Sequence, residues 1–332
     1  MFDPQYRLTK YLSENLQRTA LLSAALKRLP SKSPVRIKIS RDALGCDIHS
    51  STWIEGNILT LAQVVDLVDG KEVDAEVQQK TEVKNCINVL RWIMSHKTAP
   101  FTYKRVLMLH ALMTKGLLPA SRSGRWRKIQ NYIIDSRRKI IFTPPKPNEV
   151  ANRMRKLLTW LSRSKEEHAI VRSAIFHHEF VTIHPFVDGN GRMARALSQW
   201  ILLQGKYDPI HSLGLDEYFA GDRAKYYQMI QETREMDGDY TYWIEYFALG
   251  LLRSVEKLST RLRSMKMDGK EWTPKQRELI KLLKKRGISG SGDIGHAMNI
   301  NRARVNQLIT PLIAAGIVVK EGHTRSAQYM LI

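Results

Sequence analysis

The chain has 332 residues, which is enough for one large domain or two to three smaller ones. Its hydrophobic content of 43% is typical of a globular protein with a core and argues against a disordered chain. The net charge of +21 favours anionic partners such as nucleotides, nucleic acids or acidic protein surfaces. No stretch approaches the roughly 18 apolar residues of a membrane-spanning helix, the N-terminus does not have the pattern of a signal peptide, and Cys46 and Cys86 lack metal-ligand spacing. We therefore expect a soluble, cytoplasmic protein that does not bind membranes.

Helical periodicity dominates the first 100 residues. Leucines recur at three- and four-residue steps up to Pro30 and Pro34, which predicts a helix over residues 1 to about 30 that these prolines end. Further helical patterns follow after Thr60 and over residues 75–96 and 102–113. The last of these carries His110 among apolar neighbours, where a buried, hydrogen-bonded histidine is more common than a ligand.

A β-hairpin is predicted next. Two β-rich runs, 129–134 and 140–142, flank the polar tip 135–139. An ordinary surface hairpin and an edge that accepts a strand from another protein both fit this pattern.

The stretch HPFVDGNGRMAR, residues 184–195, follows a strongly apolar helix and leads into another. Gly189 and Gly191 allow the backbone to approach a ligand closely. The first amides of the second helix have no intrahelical partner and form a site for anions. Arg192 and Arg195 are three residues apart and therefore share one helix face above that site. Together these features predict a loop that binds a polyphosphate.

Two side chains in this stretch suit nucleotide chemistry. His184 is a candidate general base because the unperturbed pKa of histidine lies near neutrality. Asp188 offers the carboxylate oxygen that Mg²⁺ prefers. Together the two side chains suit chemistry on a polyphosphate that is bound with Mg²⁺.

Beyond this stretch, helices are predicted over residues 216–235 and 242–262, and residues 264–270 form a linker. Residues 271–332 contain three helical patterns and a hairpin, which together resemble a winged helix. Arg302, Arg304 and Asn306 fall on the third helix, where a recognition helix would contact the major groove. Ten Lys/Arg against four Asp/Glu in this segment suit phosphate contacts, but a domain that docks on the core or on a protein partner is the alternative.

Residues 184–195 match the pattern H-x-F-x-D/E-G-N-G/K-R-x-x-R at every fixed position and so resemble the signature of Fic-domain proteins. The resemblance implies a mostly α fold. Residues 1–100 would form an N-terminal helical region, 101–253 a Fic-type helical core with a β-hairpin flap, 254–270 a helix end and linker, and 271–332 the winged helix. It also implies transfer of AMP from ATP to a Tyr, Thr or Ser hydroxyl of a target protein, which can be the chain itself.

The resemblance further assigns roles to individual residues. His184 would be the catalytic base and Asp188 the Mg²⁺ ligand, whereas Gly189, Asn190, Gly191, Arg192 and Arg195 would bind the phosphates of ATP. Tyr226 or Tyr227 would stack on the adenine, and Ile141, Phe142 and Thr143 would pair with the target. The spacing Ser51-x-x-x-Glu55-Gly56 resembles the inhibitory helix of the family, at about 50–57, in which the glutamate pairs with the second motif arginine, here Arg195.

Purely structural roles are the alternatives for some of these residues. Glu55 would be a surface residue at a helix end, and the two tyrosines would be a buried aromatic pair. For the whole chain, removal of AMP from a modified protein and a DNA-binding regulator with a nucleotide-sensing core stay open, as does a homodimer.

Overall fold

The computed structural model describes residues 2–27, 34–134, 137, 139–207, 214–236, 238–267, 272–315, 317–322 and 327–331. Four parts of the sequence predictions lie outside the described residues: Pro30, positions 135, 136 and 138 of the hairpin tip, positions 268–270 of the linker, and the turn of the C-terminal hairpin.

Helices make up most of the described chain. They are α1 (Lys10–Lys27), α2 (Pro34–Ile54), α3 (Leu61–Val68), α4 (Val77–Ser95), α5 (Tyr103–Met113), α6 (Pro147–Arg163), α7 (Ala169–Ile183), α8 (Asn190–Gln204), α9 (Leu215–Gly221), α10 (Arg223–Glu235), α11 (Thr241–Met267), α12 (Pro274–Arg286), α13 (Ser291–Met298) and α14 (Arg302–Ala314). The strands are β1 (Ile133–Ile134), β2 (Ile140–Phe142), β3 (Ser289–Gly290), β4 (Val318–Glu321) and β5 (Gln328–Leu331). The predicted mostly α fold class is confirmed. Within the described ranges, no helix has the length and apolar character needed to cross a membrane.

Four local predictions differ from the structure. The helix predicted over residues 1 to about 30 begins only at Lys10, and residues 2–9 are not helical. Pro34 begins α2 instead of preventing a helix, because the first turn of a helix has no use for the missing amide. The segment predicted as one helix over 216–235 is two, because Asp222 has non-helical backbone angles and its side chain caps α10 at the amide of Lys225. Residues 264–267, predicted as linker, continue α11.

The chain divides into two compact units. The first comprises Met1–Thr19 and Ser40–Ser254, and the second comprises Ala20–Ile39 and Val255–Ile332. Residues 40–100 therefore pack with the helical core that follows them, whereas the predicted domain boundaries stay predictions.

Helices α7 and α8 form the centre of the first unit. Both are buried on nearly every side, although α8 carries buried polar side chains, including Arg192 and Arg195, among its apolar ones. Trp200 on α8 is fully buried, and the indole of Trp243 donates to the carbonyl of Ala174 on α7 at 2.6 Å. The connection between the two helices, residues 184–189, is therefore held at both ends by core packing.

The hairpin is shorter than its sequence pattern. Ile133 pairs with Phe142 and Ile134 with Ile140, and an irregularity separates the two pairs. Ile141 on β2 is 46% exposed.

The second unit contains the three predicted C-terminal helices and the predicted hairpin. Strands β4 and β5 pair antiparallel, and β3 adds to the other edge of β5. Leu279, Val305 and Leu312 are fully buried in its core. Helix α12 begins with a capping box in which Thr273 and Gln276 satisfy each other's backbone amides. The winged-helix assignment stays a prediction.

Candidate functional site

The loop between α7 and α8 has two residues in the left-handed backbone region. His184 ends α7 with φ 50° and ψ 60°, and Gly189 begins α8 with φ 78°. For a residue with a side chain this conformation costs on the order of 1–2 kcal/mol, so the surroundings of His184 must hold it there. The amide of Asn190 was predicted to bind phosphate, but its buried side chain has a separate role. It accepts from the amide of Phe186 and donates to the carbonyl of the same residue, both at 2.9 Å, which closes the loop on itself.

His110 supports the same loop from α5. Its Nδ1 accepts the amide proton of Gly124 at 2.9 Å, so the proton is on Nε2, which donates to the carbonyl of Asp188 at 3.0 Å. The ring stacks on Phe186 with 3.5 Å between centroids, and burial lowers the pKa of His110 to about 4. The structure agrees with a buried, hydrogen-bonded histidine, and adds that it orients the loop.

Arg127, which no sequence pattern singles out, fixes the loop from the hairpin side. Its Nε donates to the carbonyl of His184 at 2.8 Å and its Nη2 to that of Pro145 at 2.5 Å, while its amide donates to Pro185. The side chain is 2% exposed. A buried arginine that serves carbonyl groups cannot be told from a surface arginine by sequence.

His184 is arranged as a neutral base. Its Nδ1 lies 3.2 Å from the carbonyl of Val181, which can only accept, so Nδ1 carries the proton and the lone pair is on Nε2. Burial lowers the pKa of His184 to about 4, although the hydrogen bond to Val181 opposes this. The imidazole is therefore unprotonated at neutral pH, as a proton acceptor must be.

Arg195 is fully enclosed and paired with the segment that the sequence predicts to be inhibitory. Its Nη2 donates to Glu55 Oε1 and to the carbonyl of Ser51, both at 2.8 Å, and its Nε donates to Ser51 Oγ at 2.9 Å. Asp216 Oδ2 lies 3.8 Å from the same Nε. Burial by itself would lower the pKa of Arg195, but Glu55 and Asp216 outweigh burial and raise it. The structure thus brings together Ser51, Glu55 and Arg195, as the family resemblance implies. It adds Asp216, for which the sequence predicted no role.

The carboxylate of Glu55 also lies against the first turn of α8. A Cβ at position 191 would overlap Glu55 Oε1 and would lie 3.2 Å from Arg195 Nη1. The negative group of Glu55 therefore sits where the exposed amides of a helix start attract an anion.

Arg192 has different acidic partners. Its Nη1 pairs with Glu82 Oε1 on α4, and its Nη2 lies 3.3 Å from Asp188 Oδ2. The Arg192 side chain is 2% exposed and that of Asp188 57% exposed. Glu82 could not be picked out from its sequence pattern, because a glutamate on a helix is usually solvated.

The fit for Mg²⁺ rests on Asp188. Among the described residues, no group of three or more His, Cys, Asp or Glu side chains could hold a metal ion. Mg²⁺, however, is commonly bound by one or two carboxylates together with substrate phosphates and water. Asp188 Oδ1 accepts a hydrogen bond from the amide of Gly189 at 2.6 Å, which orients the carboxylate, and Oδ2 faces Arg192. The carboxylate of Asp188 is therefore a suitable ligand for Mg²⁺.

The structure separates the two tyrosines predicted near the adenine. Tyr226 is 1% exposed, its hydroxyl lies 2.8 Å from His177 Nε2, and its ring stacks on Phe219 with 4.6 Å between centroids. This placement favours the buried alternative for Tyr226. Tyr227 is 41% exposed and lies beneath the guanidinium of Arg223, so it keeps a surface for a base.

The predicted flap residues lie at one edge of the first unit. Ile141 and Thr143 are exposed, whereas Phe142 is half-buried with the guanidinium carbon of Arg234 3.7 Å from its ring centre. Arg234 also donates to the carbonyl of Val181 at 3.2 Å, the same carbonyl that His184 Nδ1 contacts. The strand and the base are therefore joined through one half-buried arginine.

Comparison with known proteins agrees with this geometry. Residues 100–202, which include the whole loop 184–195, match the model of the Fic/DOC family. This segment is a Fic domain. Glu55 and Ser51 lie outside the matched residues.

Curated relatives and solved structures extend the likeness. The protein adenylyltransferase Fic of Drosophila willistoni is 28% identical over 235 residues, which are 68% of this chain and 43% of that protein. That of Drosophila melanogaster is 28% identical over 234 residues, 68% of this chain and 44% of that protein. The chain thus spans less than half the length of these relatives.

Among solved structures, a Fic family protein from Desulfovibrio desulfuricans G20 covers 100% of this chain and 98% of its own at 24% identity, with a TM-score of 0.69. Residues 134–508 of Fic-1 from C. elegans cover 78% of this chain and 74% of their own at 21% identity, with a TM-score of 0.60. At these identities the structures show a shared fold.

Proposed function

We propose that this protein is an adenylyltransferase that transfers AMP from ATP to a Tyr, Thr or Ser hydroxyl of a target protein, which can be the chain itself. The observation that carries the proposal is the loop 184–195, in which a neutral histidine base stands beside an anion-binding helix start and two buried arginines. The names of the curated relatives support the same chemistry.

In the proposed reaction the acceptor hydroxyl attacks the α-phosphorus of ATP in line. His184 Nε2 takes the hydroxyl proton, the new oxygen–phosphorus bond forms, and the bond to the β-phosphate breaks to release pyrophosphate. The amides of Gly189, Asn190 and Gly191 would hold phosphate oxygens. Arg192 would bind the β-phosphate and Arg195 the γ-phosphate, because guanidinium groups match phosphate geometry.

Mg²⁺ would be held by Asp188 together with the phosphates of ATP. When bound, it would neutralise phosphate charge. Tyr227 would provide a face for the adenine, and β2 would pair with an extended segment of the target. Neither Cys46 nor Cys86 forms a disulfide, and Cys86 is buried, which supports a reducing, cytoplasmic setting.

We further propose that the enzyme is autoinhibited. The 2.8 Å pair between Arg195 and Glu55 occupies the guanidinium that the γ-phosphate needs, and the Glu55 carboxylate stands at the helix start where phosphate would bind. Activity would therefore require displacement of Glu55.

A labelling experiment with matched variants tests the proposal. Purified protein is incubated with Mg²⁺ and ATP labelled on the α-phosphate, and transfer to the protein is followed by radioactivity and by the added mass of AMP. We expect weak labelling of the wild type, strong labelling of Glu55→Gly, and none of Glu55→Gly/His184→Ala. Equal labelling of all three would contradict the proposal. If a prelabelled protein loses AMP only when Glu55 is present, removal of AMP is the main activity instead.

A further inference from the structure

The carboxylate of Glu82 on α4 binds both Arg192, in the first turn of α8, and Asn57, in the turn after Glu55. One oxygen pairs with Arg192 Nη1, and the other accepts from Asn57 Nδ2 at 2.9 Å. The side chains of Arg192 and Glu82 are 2% and 18% exposed, and Asn57 is 4% exposed. This Asn57–Glu82–Arg192 bridge is therefore a largely buried, charge-assisted network, in which each bond is stronger than it would be in water.

Asn57 is the residue that closes the turn after Glu55. Its amide donates to the carbonyl of Thr52 at 3.0 Å, and its Oδ1 accepts the amide of Leu59 at 3.1 Å. Its Nδ2 also donates to the carbonyl of Gln79 on α4 at 3.1 Å. The segment Ser51–Asn57 is thus attached at two places, to Arg195 through Ser51 and Glu55 and to α4 through Asn57.

Arg192 depends on Glu82 for its orientation. Within the described part of the chain, the only other acidic partner of its guanidinium is the exposed Asp188, at a longer distance, and its Nε has no hydrogen-bond partner there. Without Glu82, a buried guanidinium would lose its principal counter-charge.

We propose that Glu82 is a positioning residue for Arg192 and that its bond to Asn57 is a second inhibitory contact, separate from Glu55–Arg195. This inference rests on the proposed adenylyl transfer. Release of Ser51–Asn57 must break both attachments, after which Glu82 keeps Nη1 of Arg192 and leaves Nη2 directed at the loop, where the β-phosphate would lie.

The second contact is tested with Asn57→Asp. Aspartate keeps the Oδ1 acceptor for Leu59 but loses the donor and faces the carboxylate of Glu82 with a like charge. We expect self-labelling to rise about tenfold over wild type, the worth of one charge-assisted hydrogen bond, and to stay below that of Glu55→Gly. Added to Glu55→Gly, the substitution should change labelling less than about twofold, because inhibition is already lost. Asn152→Asp on the exposed face of α6 is the matched control and should label like wild type.

The positioning role is tested with Glu82→Gln in the Glu55→Gly protein. Loss of the charge beside Arg192 should raise KM for ATP about tenfold and leave kcat within about threefold, and Tm should fall because the buried guanidinium loses its counter-charge. Glu82→Asp, which restores the charge on a shorter arm, should recover part of the loss. A general packing defect would lower Tm and kcat together and would overturn this role.

The outcomes separate this inference from the proposed function. If Glu55→Gly labels strongly and both Asn57→Asp and Asn57→Ala label like wild type, the second contact is refuted and adenylyl transfer stands. If Glu55→Gly does not label although it binds ATP, the proposed function itself fails. If Asn57→Asp does not fold, self-labelling of Asn57→Ala, which adds no charge, is compared with that of wild type instead.

Discussion

Stepwise removal of Glu55 should raise the affinity for ATP in two steps. Glu55→Gln keeps an oxygen that can accept from Arg195 Nη2 but removes the charge. A hydrogen bond to a charged group is worth about 1.5–3 kcal/mol, and that of glutamine to the arginine cation lies at the lower end of this range, so the change weakens the competing contact by about 1–1.5 kcal/mol. The Glu55 side chain is 26% exposed, which favours the lower value. The expected gain in affinity is therefore about 5- to 10-fold.

Glu55→Gly removes the acceptor altogether, together with the negative charge at the start of α8. The full charge-assisted bond of about 2–3 kcal/mol is lost, so ATP should bind roughly 30- to 150-fold more tightly than to wild type. Asp216, 3.8 Å from the Nε of Arg195, and the two Ser51 contacts keep the guanidinium partnered, so the variant should stay folded.

The assay is equilibrium binding of a fluorescent ATP analogue, with every variant carrying His184→Ala to prevent turnover. Glu149→Gln, which neutralises the exposed partner of Arg153 on α6, serves as the matched control and should leave Kd unchanged. Equal Kd values for Glu, Gln and Gly at position 55 would refute competition for Arg195.

Three further predictions concern the pKa of His184, the pKa of Glu179 and the packing of Phe142. Because the pKa of His184 is lowered to about 4, kcat/KM of Glu55→Gly should be constant from about pH 6 to pH 8 and fall only as the pH drops through about 4, where the base becomes protonated. Burial raises the pKa of Glu179 from 4.5 to about 7, so the folded state binds more protons in that window and its free energy of unfolding falls as the pH rises through it. Glu179→Gln should therefore stabilise the protein at pH 8, by at most about 3 kcal/mol, and have little effect at pH 4, as measured by urea unfolding. Phe142→Leu removes the ring beneath Arg234, worth about 1–2 kcal/mol when desolvated, and should speed hydrogen exchange of the amides of β2 about tenfold.

Each of these has a clear contrary result. A rate that titrates near pH 6.5 would mean that His184 is not desolvated as the structure has it. Equal stabilisation by Glu179→Gln at both pH values would point to packing instead of ionisation. Unchanged exchange in β2, with Ile141→Leu as the comparison, would show that Arg234 does not hold the strand.

The roles of the residues within 184–195 could be predicted from the sequence alone. The base, the two glycines and both arginines fall within residues 184–195, so one turn and the start of one helix fix their geometry. The pairing of Glu55 with Arg195 spans 140 positions and was available only through the family resemblance. No local pattern distinguishes such a glutamate from a solvated one.

The rest of the site depends on tertiary packing. Glu82 and Asp216 lie on helices where the sequence shows only ordinary acidic residues, and burial gives them their partners. The same holds for Tyr226, which its sequence position offered as an adenine-binding residue and which the structure buries against Phe219. Residues 34–49 of helix α2 were not predicted from the sequence, because proline usually ends a helical pattern, whereas Pro34 lies in the first turn, where proline is tolerated.

Gly191 has a consequence for how inhibition can be lost. Any side chain at this position would overlap the Glu55 carboxylate, and the end of a glutamate can move aside cheaply only by leaving Arg195. Alanine is also the better helix former by roughly 0.5–1 kcal/mol. A single Gly191→Ala substitution would thus gain less in α8 than the roughly 2–3 kcal/mol of the broken Glu55–Arg195 bond, so the protein would become less controlled without becoming more stable. The absence of a side chain at position 191 is as much a part of the inhibitory contact as Glu55 itself.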